Sequence, residues 1–348
     1  MSAIGQADNI GDSALRREYL NALRGVTDVV HVFVADHTQD YIDGLGLKRT
    51  DRTYSSSRKW ISTLIRMTFR GRSSFAFNAG ETQPTKRRLV FWIASGVCIV
   101  AMRAGGGKGV HAGVGLRSPI PDASTKLMRF ALSSSNIVTW RDHKSALAVG
   151  RGKVRPDWAF GAGTPSDDLL DDSAEGSRRY LTITMRFDRP LPNEGWIASI
   201  VEFASQQNLE MVLIAQVERD IDRCNELSVM LGGVPVVQWS SRNHAAVETE
   251  TRHIYKQSAA VVSDRLHALV FAATEGAVPI GYSTGDPEKL ERTLEAAGLS
   301  GVAFGQETTP VQNATEKMGS IMSRRVEIAA NVISARVALK ELEREITG

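Results

Sequence analysis

Cysteine is nearly absent: Cys98 and Cys224 are the only two in 348 residues and stand far apart. That excludes a disulfide framework and a cysteine-based zinc site, and it suits a reducing compartment. Histidine is sparse as well, and His111, His143, His244 and His253 show no metal-ligand spacing, so they read as structural or surface residues. No apolar run reaches the roughly 20 residues that span a bilayer. The longest, 89–102, reads as buried sheet. The amino terminus is polar within a few residues and lacks the basic start and apolar stretch of a signal peptide, so a cytoplasmic location is expected. A Walker loop, a dinucleotide fingerprint, an internal repeat and a low-complexity tract are all missing. So is a large charge imbalance: 42 basic residues face 39 acidic ones, too even a balance to announce nucleic-acid binding.

What is present is alternation. With 42% hydrophobic residues the chain is ordinarily globular, and at this length it exceeds one comfortable core. Short β-rich runs alternate with helical patterns, the signature of βαβ units around parallel sheets. The first half offers strands at 29–34, 97–102 and 137–140. The second half is cleaner, with strands at 180–185, 211–217, 234–238, 260–263 and 278–282, and helices at 196–205, up to 231, 266–274 and 287–297. A Gly, Ser and Asp-rich stretch at 161–178 reads as a linker between a domain at 1–160 and one at 179–315. From about 316 the apolar 3-4 spacing of Ile321, Ile328, Val332, Leu339 and Ile346 predicts one long helix to 348. That helix either packs on the domains or makes a coiled-coil contact in a homo-oligomer. Two doubly wound domains joined this way place a ligand crevice at the carboxyl ends of their strands.

Four clusters are placed to carry chemistry. In the run from Val261 to Gly276, a strand ends at Ser263 and a helix begins at Leu266, which sets Arg265 and His267 beside unpaired helix N–H groups and a dipole that attracts anions. Guanidinium matches phosphate or carboxylate, and imidazole exchanges protons near neutral pH. Alternatively, Arg265 caps a neighbouring strand and His267 is a surface residue. After the strand expected to end at Met102, Gly105, Gly106 and Gly107 form a turn that lets backbone approach a ligand. Asn9, Gly11 and Asp12 precede a helix, with Asp12 suited as its N-cap. Arg141 and Asp142 follow a strand, and Arg141 either faces the crevice or pairs with a nearby acid. Glu218 and Asp220 follow another strand, as second acids or as a solvated helix start.

In order, these clusters resemble the polysaccharide pyruvyl transferase family: Gly5, Asn9, Gly11 and Asp12; Gly105 to Gly107; Gly113 and Gly115; Arg141, Asp142 and Ser145; Pro156 and Asp157; and, most specifically, Ser263, Arg265, Leu266 and His267. The resemblance implies a GT-B-like α/β fold, two Rossmann-like domains facing a cleft with a long C-terminal helix, and no metal or other cofactor. It implies phosphoenolpyruvate as donor and a saccharide as acceptor, lipid-linked or polymeric, joined as a pyruvate ketal. On that pattern Arg265 binds the donor's charge, His267 is the general acid, Leu266 shapes the pocket, and Arg141 is the second candidate anion ligand. The alternatives are a GT-B glycosyltransferase using a nucleotide sugar and a non-catalytic anion-binding relative.

One segment stands outside this pattern. Residues 48–88 hold eleven basic residues against Asp51 and Glu81, so the rest of the chain is net acidic although the total is +3. Within it Trp60, Ile61, Leu64 and Ile65 share a helical face flanked by Arg58, Lys59, Arg66 and Arg70. That pattern suits either an anionic inner-leaflet surface or a helix covering the sheet with a solvated basic rim.

Overall fold

The computed structural model describes residues 1–117, 120–170 and 178–348. It divides into two compact units, one of Met1–Ala7, Asp12–Trp158 and Ala338–Gly348, the other of Asp8–Gly11 and Ala159–Val337.

The first unit is built from α1 (Ile10–Leu23, whose first two residues count with the second unit), β1 (His31–Phe33), α2 (Gln39–Gly44), β2 (Arg52–Tyr54), α3 (Ser57–Thr68), β3 (Phe75–Ala76), β4 (Gly80–Thr82), α4 (Lys86–Ala104), β5 (Gly109–Leu116), α5 (Asp122–Leu132), β6 (Ile137–Trp140), α6 (His143–Val149) and β7 (Lys153–Val154). Its main sheet runs β3-β5-β6-β7 with β4 also on β5, every pair parallel. Strands β1 and β2 form a separate parallel ribbon, which Ser2 extends by bridging to Phe33. The apolar run expected to form a strand at 97–102 is helical instead, within α4. Its buried residues Trp92, Ile99 and Met102 fall on one helical side and join the sheet core, while Val90, Val97 and Val100 are exposed. A 19-residue helix with one inward side explains the run better than a strand buried on both faces. His111 on β5 sits among Phe77, Trp92 and Trp140, where burial drives its pKa down to about 3 and keeps the ring neutral.

The second unit holds α7 (Ser166–Leu169), β8 (Tyr180–Thr184), α8 (Glu194–Gln206), β9 (Glu210–Ile214), α9 (Ile221–Met230), β10 (Val236–Val237), α10 (His244–Lys256), β11 (Ser258–Ser263), α11 (Leu266–Thr274), β12 (Val278–Ser283), α12 (Glu288–Glu295), β13 (Ala303–Gly305), α13 (Val311–Met322) and α14 (Arg325–Thr347, which from Ala338 counts with the first unit). Its six strands are ordered β10-β9-β8-β11-β12-β13, all parallel. Counted from β8 this is 3-2-1-4-5-6, the doubly wound Rossmann order, which reverses between β8 and β11. Strands buried on both faces need apolar or small residues at every position, and β11 and β12 are buried at all six of theirs.

Two expectations change here. The long C-terminal helix is two helices, because α13 stops at Met322 and α14 starts at Arg325. The first part of the stretch read as linker is packed into the second unit: Arg336 donates to the carbonyls of Phe160, Ala162 and Thr164, and Thr164 bonds to Glu275. The remainder of that reading, 171–177, lies outside the described residues.

Candidate active site

In an open parallel sheet the crevice for a ligand lies at the carboxyl ends of the strands where the winding reverses, because there the two neighbouring loops diverge. In the second unit that point lies between β8 and β11. The segments leaving β8, β9 and β11 meet there: Arg186 to Asp188, Gln216 to Asp220, and Asp264 to His267.

Arg265 is the N-cap residue of α11, rather than in its first turn, and makes no side-chain cap bond. The start of a helix, with its N–H groups and the positive end of its dipole, favours an anion at this position. Ser263 fixes the turn, its hydroxyl accepting from the Arg265 N–H at 2.8 Å and donating to the Thr184 carbonyl at 2.6 Å. The Arg265 guanidinium, 6% exposed, forms a two-pronged pair with Asp220: Nε at 2.7 Å from Oδ2 and Nη2 at 2.6 Å from Oδ1. This commits one edge of the fork and leaves Nη1 outside the pair. Asp220 is fully buried and also accepts from the Phe187 N–H, so of the two readings for that carboxylate it is neither a solvated helix start nor a free acid. Glu218 instead faces outward to Arg242 at 3.3 Å.

Asp264 turns into the same cluster, with Oδ1 accepting from the Arg186 N–H at 2.8 Å and Oδ2 buried without a hydrogen-bond partner among the described residues. Burial pushes its carboxyl up to about 6, against the Arg186 N–H and the charges of Arg186 and Arg265, which pull it down. Asp188 goes the other way, down to about 2, because Arg186 clasps it. The sign for Asp264 is that of a group binding its proton more tightly when folded, since an unfolded Asp titrates near 3.8. Stability is therefore lost as pH rises from about 4 to about 6. In urea unfolding, Asp264→Asn is expected to gain on wild type by up to about 3 kcal/mol between about pH 4 and about pH 7. A difference flat with pH would show that the buried carboxyl stays ionised.

His267, nearly buried, stands in the first turn of α11. Gly11 comes against it, held in turn by Asn9. Asn9 bridges to Val217 next to β9, and its Oδ1 accepts from the Gly11 N–H at 3.1 Å and from Gln216 Nε2 at 3.2 Å. At Gly11 a Cβ would collide with the Cβ and ring of His267, so glycine is required for this approach. Sequence spacing pairs Asn9 with Gly11 but does not reveal that Gly11 lies against an imidazole more than 250 positions later. Leu266, which precedes His267 in the chain, is buried as well.

The remaining expected residues belong to the first unit. Asp12 is not an N-cap, because α1 already begins at Ile10. Its Oδ2 accepts from the Gln6 N–H and it pairs with Arg16. Arg141, at the carboxyl end of β6, pairs with Asp157 at 3.0 Å, which resolves its two readings towards a buried acid partner. Gly115 carries no Cβ because one would lie 2.7 Å from Arg141 Nε. Gly105, Gly106 and Gly107 follow a helix, not a strand. They close α4 through bonds such as Gly107 N–H to the Met102 carbonyl and lie before β5, at the amino edge of the sheet, opposite the edge that carries Arg141. The structure therefore does not bring them to Arg141, and their backbone role is a helix cap.

The family profile for polysaccharide pyruvyl transferases matches residues 9–286, from Asn9 past the whole switch-point cluster. No curated relative matches the chain by sequence. Among solved structures it is similar to the UDP-GlcNAc 2-epimerase of Neisseria meningitidis (14% identity, TM-score 0.59, covering 99% of this chain and 98% of that one). It is also similar to a variant of the O-GlcNAc transferase of Thermobaculum terrenum (13%, 0.51, 95% and 65%) and to the UDP-GlcNAc 2-epimerase of Methanocaldococcus jannaschii (11%, 0.53, 98% and 98%). At such identities the likeness concerns the fold, a GT-B pair of Rossmann-like units. With the profile spanning most of the sequence and running through Asn9, Gly11, Arg265 and His267, this chain belongs to the polysaccharide pyruvyl transferase family.

Proposed function

We propose that the chain transfers the three-carbon group of phosphoenolpyruvate to a sugar of a bacterial cell-surface polysaccharide or exopolysaccharide, or of its lipid-linked precursor, leaving a cyclic pyruvate ketal. The observation that carries this reading is the pairing of an anchored guanidinium with an imidazole at the start of α11. Phosphoenolpyruvate brings a phosphate and a carboxylate, and both require N–H-rich anchors. Nη1 of Arg265, outside the pair with Asp220, and the positive end of the α11 dipole meet such charges in one place.

The imidazole of His267 then delivers a proton to the donor's methylene carbon, forming a C–H bond and an oxocarbenium-like centre at the neighbouring carbon. A sugar hydroxyl bonds to that carbon and gives up its proton. A second hydroxyl displaces the phosphate with cleavage of the C–O bond, so inorganic phosphate leaves and no redox partner is consumed. Cleavage of the C–O bond leaves negative charge on the departing phosphate, which a helix N-terminus and a held guanidinium meet without reorganising.

A thermal-shift comparison of phosphoenolpyruvate with a panel of nucleotide sugars tests the donor. At 100 times its dissociation constant the true donor adds about 2.7 kcal/mol to the folded state, visible as a raised melting temperature. Phosphoenolpyruvate alone is expected to give that response. Stabilisation by a nucleotide sugar and none by phosphoenolpyruvate would replace this reading with glycosyl transfer.

A further inference from the structure

Helices α3, α4 and α5 form one layer on one face of the first unit's main sheet. Leu64 and Met67 of α3, Trp92, Ile99 and Met102 of α4, and Met128 and Leu132 of α5 all enter the same core cluster. Since the three inward sides share a core, the three opposite sides share an outward surface. On a solvated helix layer that surface is polar. Here it carries Ile61, Ile65 and Phe69 from α3 and its end, Val97 and Val100 from α4, and Phe130 from α5. All are exposed, Phe69 to 81%, Phe130 to 71% and Val97 to 68%.

The charges on this layer are one-sided. Arg58, Lys59, Arg66, Arg70 and Lys126 are exposed on or next to these helices, whereas their sequences contain one acid, Asp122. The helix seen here differs from the sequence expectation: Trp60 does not belong to the outward side but is buried, stacked on Phe33 and against Tyr54. Ile61 and Ile65 keep their outward place, and Phe69, Phe130 and α4, the helix that had read as a strand, extend the apolar surface.

We propose that this α3–α4–α5 face docks the protein on an anionic phospholipid surface, with the apolar side chains in the headgroup boundary and the basic residues on lipid phosphates. A second copy of the chain fits the face poorly, because self-pairing would set basic residues against basic residues with almost no acids to answer them. A nucleic acid would satisfy the charge and leave the valines, isoleucines and phenylalanines in water. A bilayer interface takes both, and no described helix is long and apolar enough to cross the membrane instead. The inference stands on the surface alone and is independent of which donor the enzyme uses.

The full chain is sedimented with vesicles of phosphatidylcholine alone and of phosphatidylcholine with phosphatidylglycerol, at low and high salt. Binding is expected to the anionic vesicles only and to weaken with salt, as screening shortens the reach of the charges. The double variant Arg58→Gln, Lys59→Gln is expected to lose about thirtyfold in partitioning, about fivefold for each charge near the surface. Phe69→Asp with Val97→Asp, two exposed positions, is expected to abolish binding with an unchanged melting temperature. Equal binding to neutral vesicles, or none to anionic ones, overturns the proposal. So does a dimer by light scattering that the aspartate variant dissolves, which would assign the face to a second copy.

Discussion

His267→Gln is expected to lower kcat by about 10²- to 10⁴-fold while the thermal shift produced by phosphoenolpyruvate stays in place. Glutamine keeps much of the volume and a hydrogen-bonding end but cannot hand a proton to carbon. A group that acts only in the transition state affects turnover and spares ground-state binding. If His267 merely filled space, the two readouts would move together with stability, and turnover of the folded variant would fall little. The neighbouring glycine provides an independent check of the same geometry. Gly11→Ala leaves the imidazole chemically intact but places a methyl carbon 2.4 Å from the His267 Cβ and 2.5 Å from Nδ1, so the side chain must move. A displacement of about 1 Å can cost about 10²-fold in rate. Gly11→Ala at full activity would sink the claim that this approach positions the catalytic ring.

The largest expected loss of stability comes from Asp220→Ala. Asp220 is fully buried, it neutralises an Arg265 that is itself nearly buried, and it accepts the Phe187 N–H. Removing it leaves a buried cation without compensation and orphans a backbone donor. Loss of one partner of a buried pair costs about 3–5 kcal/mol. Denaturant unfolding should show this as a lower midpoint. The double variant Asp220→Ala, Arg265→Ala should recover part of it, with an interaction free energy of about 1–3 kcal/mol. Strictly additive losses would mean that the pair seen in the structure contributes nothing as a pair. The functional consequence follows from the same geometry: without Asp220 the fork of Arg265 is no longer aimed, so phosphoenolpyruvate stabilisation should fall as well.

Local pattern alone was sufficient for the segment that matters most. Strand, turn and helix around Arg265 and His267 were legible, because a run of small and β-branched residues changes to helical spacing within three positions. The helix 266–274 was read with the bounds of α11. Near the other cluster the same kind of reading failed. The run 89–102 is apolar almost throughout, and a short apolar run fits a buried strand as well as a helix with one buried side. What separates them is which residues the sheet covers, and that depends on Phe77, Val114 and Met128, none of them in the run. The glycines at 105–107 were misplaced for the same reason, since their meaning depends on what precedes them.

By itself, then, the sequence determined the doubly wound character of the second half, the family, and the candidate pair Arg265 and His267, because local patterns and their order along the chain suffice for these. Only the tertiary structure decided that Asp220 holds Arg265 across 45 positions, that Gly11, held by Asn9, lies against His267, and that Asp264 turns inward with a raised pKa. The physical reason is the strand order. Reversal of the winding between β8 and β11 brings together three loops from separate stretches of chain, and no spacing along the sequence encodes which strands will be neighbours.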